Sequence, residues 1–314
     1  MLALLFPGQG SQEVGMGRDV LLQSRGAADT FLAADRALGF ALSDLIFEGS
    51  EEDLRRTEIQ QPAILTTSIA LLRALQEDQL VQPSYVAGHS LGEYTALVAS
   101  GAMGFEDAVR LVHARGSFMQ EAVPEGTGAM AAILGCSAEE VDRVCRLAAE
   151  ETSQLVTPAN FNSPQQTVIA GEGQAVERAC ALALERGEAK RAVPLSVSAP
   201  FHCALMQPAA EKLAPELAQL RLQKMAIPVV TNVEAVANRD ETRVPELLKA
   251  QVTAPVRFSE SIEYLVAQGV THFLEVGPGR VLTGLVSRIQ RRAKRANFGV
   301  VEDWSEAKSF IASA

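Results

Sequence analysis

The sequence predicts an α/β protein: a large, α/β-hydrolase-like domain built on a parallel sheet, with a small ferredoxin-like domain inserted into it. Three observations predict this. Gly88-His89-Ser90-Leu91-Gly92 has the form G-x-S-x-G and lies between a short apolar run, Tyr85-Val86-Ala87, and good helix formers from Leu91 to Ser100. Strand, tight turn and helix in that order make a nucleophile elbow. Between residues 126 and 196 the texture reads strand, helix, strand, strand, helix, strand, which is the split arrangement of a ferredoxin-like unit. Beyond it, the alternation of short apolar runs and helical patterns resumes. The large domain is therefore expected at 1–125 and 197–314, and the small one at 126–196.

The elements follow in order. Leu2 to Phe6 is an apolar run that breaks at Pro7-Gly8-Gln9-Gly10, as a buried strand feeding a ligand-facing loop would. It is not a dinucleotide fingerprint, because Glu13 stands where the third glycine belongs. Helices are expected from Phe31 to Leu45, from Gln61-Pro62-Ala63 through Leu75, and from Phe105 to Val123. In the small domain the strands are Ala129 to Leu134, Leu155 to Phe161, Thr167 to Ala170 and Lys190 to Leu195. Its helices are Ser137 to Ala149, opened by a Ser137/Glu140 capping box, and Gln174 to Arg186. Then come a helix from Cys203 to Leu220, a strand from Pro228 to Asn232, and a polar stretch, Val236 to Arg243, fit for a mobile loop. A helix from Phe258 to Gln268, a strand from His272 to Val276 and a helix from Arg280 to Arg291 complete the pattern.

With 314 residues and 47% hydrophobic content, the chain can bury a sizeable core. No charged-then-apolar leader opens it and no apolar run is long enough to span a bilayer, so a cytoplasmic protein is expected. Cys136, Cys145, Cys180 and Cys203 show no C-x-x-C spacing, so reduced thiols are expected, with neither disulfides nor a structural metal. A net charge of -10 argues against a nucleic-acid partner, which needs a basic stripe.

Ser90 is the candidate nucleophile. An elbow holds the serine on a strained backbone with its hydroxyl exposed, and the following helix N-terminus can stabilise negative charge on an acyl oxygen. The alternative makes Ser90 an N-cap with Glu93 completing the box, which leaves both flanking glycines without a purpose. A base is needed, and the chain has four histidines. His89 adjoins the serine and points elsewhere, His113 lies on the helix of Arg115, and His272 opens a buried strand. His202 remains, in Ser198-Ala199-Pro200-Phe201-His202-Cys203, where proline imposes an extended loop before a helix. A merely satisfied loop histidine is the competing reading, and no acidic third member can be assigned. Arg115 interrupts an apolar stripe of Ala108, Leu111, Val112, Phe118, Met119 and Ala122. Such an arginine either snorkels, finds an internal salt bridge, or awaits an anion such as a substrate carboxylate.

Taken together, these residues resemble the malonyl-CoA:acyl-carrier-protein transacylases over essentially the whole chain. The matching stretches are Phe6 to Gln12, Gln61-Pro62-Ala63, Gly88 to Tyr94, Gly128-Ala129-Met130, Ala159 to Pro164, Pro200-Phe201-His202 and Glu275 to Gly279. The resemblance implies Ser90 as nucleophile and His202 as base, oriented by the backbone carbonyl of Gln251 in place of an aspartate. It implies an oxyanion hole from the N–H groups of Gln9 and Leu91, and Arg115 as a fork for the malonyl carboxylate. Asn160, Asn162 and Met130 are implied to line the substrate cleft. Phe201, where some members carry serine, is similar to the residue that accompanies malonyl over methylmalonyl selection. Gln165 departs from the glycine that often follows the Ser-Pro pair.

The activity so implied is ping-pong transfer of malonyl from malonyl-CoA to the phosphopantetheine of acyl carrier protein, for fatty-acid synthesis. It needs no cofactor of its own, and a monomer is expected. The rival readings are a discrete polyketide acyltransferase, a serine thioesterase or hydrolase, and a non-catalytic acyl-CoA binder. Carrier protein is acidic in this family, so docking needs a basic spot. Arg288, Arg291, Arg292, Lys294 and Arg295 form one cluster, and Lys190 with Arg191 a smaller one. Cations at a helix C-terminus are the simpler account of the first.

Overall fold

In the computed structural model residues 1–124, 126–197 and 199–314 are described; Glu125, the expected end of the first segment, and Ser198, at the head of the histidine loop, lie outside the described residues. Ten strands among them form two sheets: β1 (Leu2–Phe6), β2 (Tyr85–Gly88), β3 (Gly128–Leu134), β4 (Val156–Ser163), β5 (Gln166–Glu172), β6 (Arg191–Pro194), β7 (Val229–Val230), β8 (Ala237–Asn238), β9 (His272–Val276) and β10 (Lys294–Phe298). The first sheet runs β10-β9-β1-β2-β7-β8, parallel throughout except for the last pair. Helices cover both of its faces, so every residue of β1, β2 and β9 is buried and the strands read as continuous runs rather than alternations.

The second sheet is antiparallel, in the order β4-β5-β3-β6. Here the side chains alternate. Ala131, Ile133 and Ile169 pack with Val141, Val144, Val176 and Leu182 of the helices Ala138–Thr152 and Gly173–Glu185. Met130, Ala132, Val168 and Ala170 point the other way and join the core of the larger unit. That helix-free face becomes a wall of the site. A parallel bridge pairs Asn160 with Val256, and Phe161 N–H and Val256 N–H donate across it to Val256 and Ala159 carbonyls, each at 2.9 Å. The two sheets are thus joined by backbone as well as by packing.

Several boundaries differ from expectation. The helix expected from Phe31 to Leu45 is two, Arg25–Leu38 and Leu42–Glu48, separated at Gly39 in the left-handed conformation, φ 76°. The helix expected to open at Gln61-Pro62 spans Thr57–Asp78, with Pro62 inside it. Proline cannot donate to the Glu58 carbonyl four residues back, and His113 Nδ1 takes that carbonyl instead at 2.7 Å. The stretch expected as a mobile loop pairs as β8 and winds into a short turn at Glu241–Arg243. The helix Val244–Thr253 and strand β10 have no counterpart among the elements expected from the sequence, and Lys294 and Arg295 belong to that strand rather than to a helix end. The expected Cys203 to Leu220 helix starts as a short turn, Ala204–Met206, before the helix Gln207–Ala218. Among the described residues no helix is long and apolar enough to cross a membrane.

Candidate active site

The register of the first sheet sets Phe6 beside Gly88, so the loop leaving β1 and the turn leaving β2 emerge together at the strands' C-terminal ends. Ser90 occupies that turn at φ 51°, ψ -104°, a conformation costly for any residue with a side chain. The chain can turn there only because its neighbours have no Cβ. One on Gly88 would stand 2.0 Å from the Gly92 carbonyl carbon, and one on Gly92 would stand 2.0 Å from the Phe6 oxygen. Asn232, just past β7, holds the turn: its Oδ1 accepts the Ser90 N–H at 2.7 Å and its Nδ2 donates to the Gly88 carbonyl at 2.7 Å.

The capping-box alternative fails here. The Ser90 hydroxyl makes no cap bond to the helix Leu91–Ala99, and the Glu93 side chain turns away from the Ser90 N–H. Instead Ser90 Oγ lies 2.7 Å from His202 Nε2, and His202 Nδ1 lies 2.9 Å from the backbone oxygen of Gln251. With Nδ1–H donating to that carbonyl, Nε2 carries the lone pair and accepts from the serine. His202, at φ 59°, is itself left-handed. Burial first, then the nearby Arg115 cation, lowers the imidazole pKa to about 3, against the opposing Gln251 carbonyl bond. The ring is therefore neutral at physiological pH. The other three histidines are engaged elsewhere: His89 Nε2 with Asn162 Oδ1 at 2.8 Å, His113 with Glu58, and His272 Nδ1 with the Thr271 hydroxyl at 2.9 Å.

Arg115 neither snorkels nor forms a salt bridge. It is 0% exposed, and its hydrogen-bond partners among the described residues are neutral: Gln61 Oε1 at 2.6 Å, Ser90 Oγ at 3.1 Å and Gln251 Oε1 at 3.1 Å. Its Nε has no partner among the described residues, and its guanidinium carbon stands 5.2 Å from the centre of the Tyr94 ring. Burying a cation this way is expensive unless an anion is to arrive.

A cleft of about 460 Å³ opens over Ser90 and His202. The second sheet contributes Met130, Asn160 and Asn162 to its lining, the histidine loop contributes Phe201, and the loop after β1 contributes Gln9. Gln9 Nε2 is anchored to Gln60 Oε1 at 2.6 Å. Arg115, Gln251 and Leu91 stand behind the serine rather than on the cleft surface. In the first turn after the elbow, Gly92 and Glu93 N–H donate to the His89 and Ser90 carbonyls, whereas the Leu91 N–H opens the helix and has no intrahelical acceptor.

Sequence reasoning assigned no role to Gln61, Asn232 or Glu93 in this network. The signal for Gln251 was present, since Val244, Leu247, Leu248, Gln251 and Val252 form one buried helical stripe in which a glutamine is out of place.

A buried serine hydroxyl lies between a neutral imidazole and a buried guanidinium at the strand ends of a parallel sheet, and residues 3–307 match the family described as the acyl transferase domain, which makes the chain an acyltransferase. Malonyl CoA-acyl carrier protein transacylase of Escherichia coli is 52% identical over 287 residues, 91% of this chain and 92% of that one. An acyl carrier protein S-malonyltransferase from Vibrio cholerae superposes with a TM-score of 0.94 at 47% identity, covering 97% of this chain and 99% of that one. A malonyl-transacylase in complex with a type II polyketide acyl-carrier protein superposes at 0.95 with 46% identity, covering 98% and 99%. The chain belongs to the malonyl CoA-acyl carrier protein transacylase family.

Proposed function

We propose that this chain transfers the malonyl group of malonyl-CoA to the phosphopantetheine thiol of acyl carrier protein, through a malonyl ester on Ser90, for fatty-acid biosynthesis. The observation that carries the reading is the Ser90 hydroxyl held between His202 Nε2 and Arg115 Nη2. Ser90 Oγ attacks the thioester carbonyl as its proton passes to His202 Nε2, and the Gln251 carbonyl steadies the imidazolium through Nδ1–H. The backbone N–H groups of Gln9 and Leu91 receive the oxyanion. Support for this pair comes from the Phe6–Gly88 register and from the open first turn at Leu91. CoA departs as a thiol with the proton from His202, leaving the ester. The carrier's thiol then gives its proton to His202, attacks the ester carbonyl, and regenerates Ser90.

Arg115 pairs with the free malonyl carboxylate, and Phe201, Met130, Asn160 and Asn162 border the acyl and pantetheine path. These steps use the chain's own residues and the partner's prosthetic group, and call on no cofactor. We read the working unit as a monomer.

We also read 1–125 and 197–314 as an α/β-hydrolase-like unit and 126–196 as a ferredoxin-like insertion. The mixed sheet with its elbow supports the first, and the β4-β5-β3-β6 order supports the second. The two basic clusters meet in a groove of about 700 Å³ lined by Lys190, Arg191, Arg288 and Arg291. Gln166 belongs both to this groove and to the cleft, which supports the groove as the seat of an acidic carrier.

The test is intact-protein mass after brief mixing with malonyl-CoA, followed by carrier protein. A malonyl adduct on the wild type, absent from Ser90→Ala and discharged onto the carrier, is the expected result. Decay to free malonate without an acceptor would make the chain a hydrolase. The relative solved with a polyketide carrier favours one second reading, a polyketide acceptor; side-by-side discharge onto the two carrier types decides it.

A further inference from the structure

Glu93 is an acid bonded into the network behind Ser90, and the transfer steps make no use of it. It follows the serine by three residues on the elbow helix and is 2% exposed. Its Oε2 accepts from the Asn232 N–H at 2.9 Å and from Gln251 Nε2 at 2.8 Å. This gives the Gln251 amide a single orientation. Its nitrogen faces three acceptors, the Glu93 carboxylate, the Ser90 carbonyl at 3.0 Å and Asn232 Oδ1 at 3.5 Å, while its oxygen faces the donor-only guanidinium of Arg115 at 3.1 Å. Inverted, the amide would set NH2 against guanidinium and oxygen against carboxylate. The same residue's backbone carbonyl holds His202.

We propose that Glu93 is a positioning residue for acyl transfer: by fixing the Gln251 side chain from the side opposite Arg115, it holds the pocket cation and the histidine in one frame. This rests on the roles given above to Ser90, His202 and Arg115. One carboxylate oxygen serves both Gln251 and Asn232, so a glutamine can keep both bonds while surrendering the charge, and a leucine keeps neither. The charged and titratable groups facing Glu93 are Arg115, from the helix Phe105–Glu121, and Tyr94, on its own helix; the neighbours from the other two elements, Asn232 and Gln251, are neutral. Burial raises the Glu93 pKa to about 7 against the opposing Asn232, Gln251 and Arg115 contacts. His202, lowered to about 3, does not titrate in that range.

The experiment labels Ser90 with an uncharged sulfonyl fluoride from about pH 5 to about pH 9, and measures acylation by malonyl-CoA against acetyl-CoA. It uses full-length wild type, Glu93→Gln and Glu93→Leu, with circular dichroism confirming the fold. Wild-type labelling is expected to rise several-fold through about pH 7, and Glu93→Gln to be flat across the range. Glu93→Leu is expected to label roughly 100-fold more slowly and to lose about tenfold in malonyl preference, with Glu93→Gln recovering most of both. A merely structural role would lower the melting temperature without moving selectivity or the pH profile. A folded leucine variant with wild-type labelling and selectivity overturns the proposal. Should the leucine variant not fold, coincident pH profiles for wild type and Glu93→Gln overturn it. An unlabelled wild-type Ser90 would bring down the underlying reading as well, whereas a labelled wild type beside an unaffected variant brings down this one alone.

Discussion

Arg115 Nη2 donates to Ser90 Oγ at 3.1 Å, so the buried cation touches the atom that would carry the acyl group. A group esterified there that ends in a second carboxylate has its counter-charge within reach, and one that ends in a methyl leaves the cation unpaired. Arg115→Ala is expected to slow malonyl-enzyme formation by about 100-fold or more while acetyl-enzyme formation holds or rises. Single-turnover acylation with the two thioesters measures both, and an unchanged malonyl preference would remove Arg115 from substrate selection.

The two elbow glycines are steric necessities of different kinds from glycines elsewhere. Gly88→Ala or Gly92→Ala forces a methyl against backbone 2.0 Å away, and each is expected to cost more than about 3 kcal/mol or to prevent folding. Gly284, in the helix Val281–Ile289, has nothing within 4 Å of where a methyl would sit and no strained φ, so Gly284→Ala should stabilise by roughly 0.5–1 kcal/mol. Urea unfolding of the three variants tests the contrast.

Two buried groups give stability opposing pH dependences. The folded His202 refuses a proton that the unfolded chain accepts as pH falls from about 6.5 towards about 3, so it withdraws stability over that window. Glu93, raised to about 7 by burial, acts in the other sense: its contribution is present below the unfolded value of about 4.5 and is lost as pH rises through about 7. His202→Asn should therefore lose less stability than wild type between about pH 6.5 and about pH 4, and Glu93→Gln should gain on wild type between about pH 5 and about pH 8. Denaturation midpoints across pH report both, and curves parallel to wild type would contradict the assignments.

Lys190 and Arg191 lie more than ninety residues from Arg288 and Arg291 in sequence but line one groove. Arg191→Glu combined with Arg291→Glu is expected to raise the KM for an acidic carrier protein about tenfold at low salt and to leave the malonyl-CoA half-reaction unaltered. A carrier KM that ignores both substitutions would place docking elsewhere.

What could be read from the sequence was what local chemistry dictates. The elbow announces itself because only glycine fits at 88 and 92, and the β3 to β6 unit because each element carries its own period and its own turns. His202 emerged by elimination among few histidines. The rest was set by contacts distant in the chain. Pro62 resembled a helix start because nothing local reveals that His113 will take the orphaned Glu58 carbonyl. Gln251 enters through the family likeness; its own segment carries only the weak signal of a glutamine in an apolar stripe, on a short helix with no side-chain cap to announce it. Asn232 and Glu93 are short polar residues whose purpose exists only once three elements converge on the serine.

The Asn160–Val256 bridge ties the strand that lines the cleft to the segment leaving the Gln251 helix. On the roles proposed above, movement of the β4-β5-β3-β6 sheet is expected to reach the Gln251 carbonyl that bonds His202. A sheet tied in this way is not expected to swing on a free hinge while His202 keeps its bond to Gln251. Amide exchange at Val256, whose N–H donates to the Ala159 carbonyl, is expected to slow when the cleft is occupied, and protection indifferent to ligand would contradict the coupling.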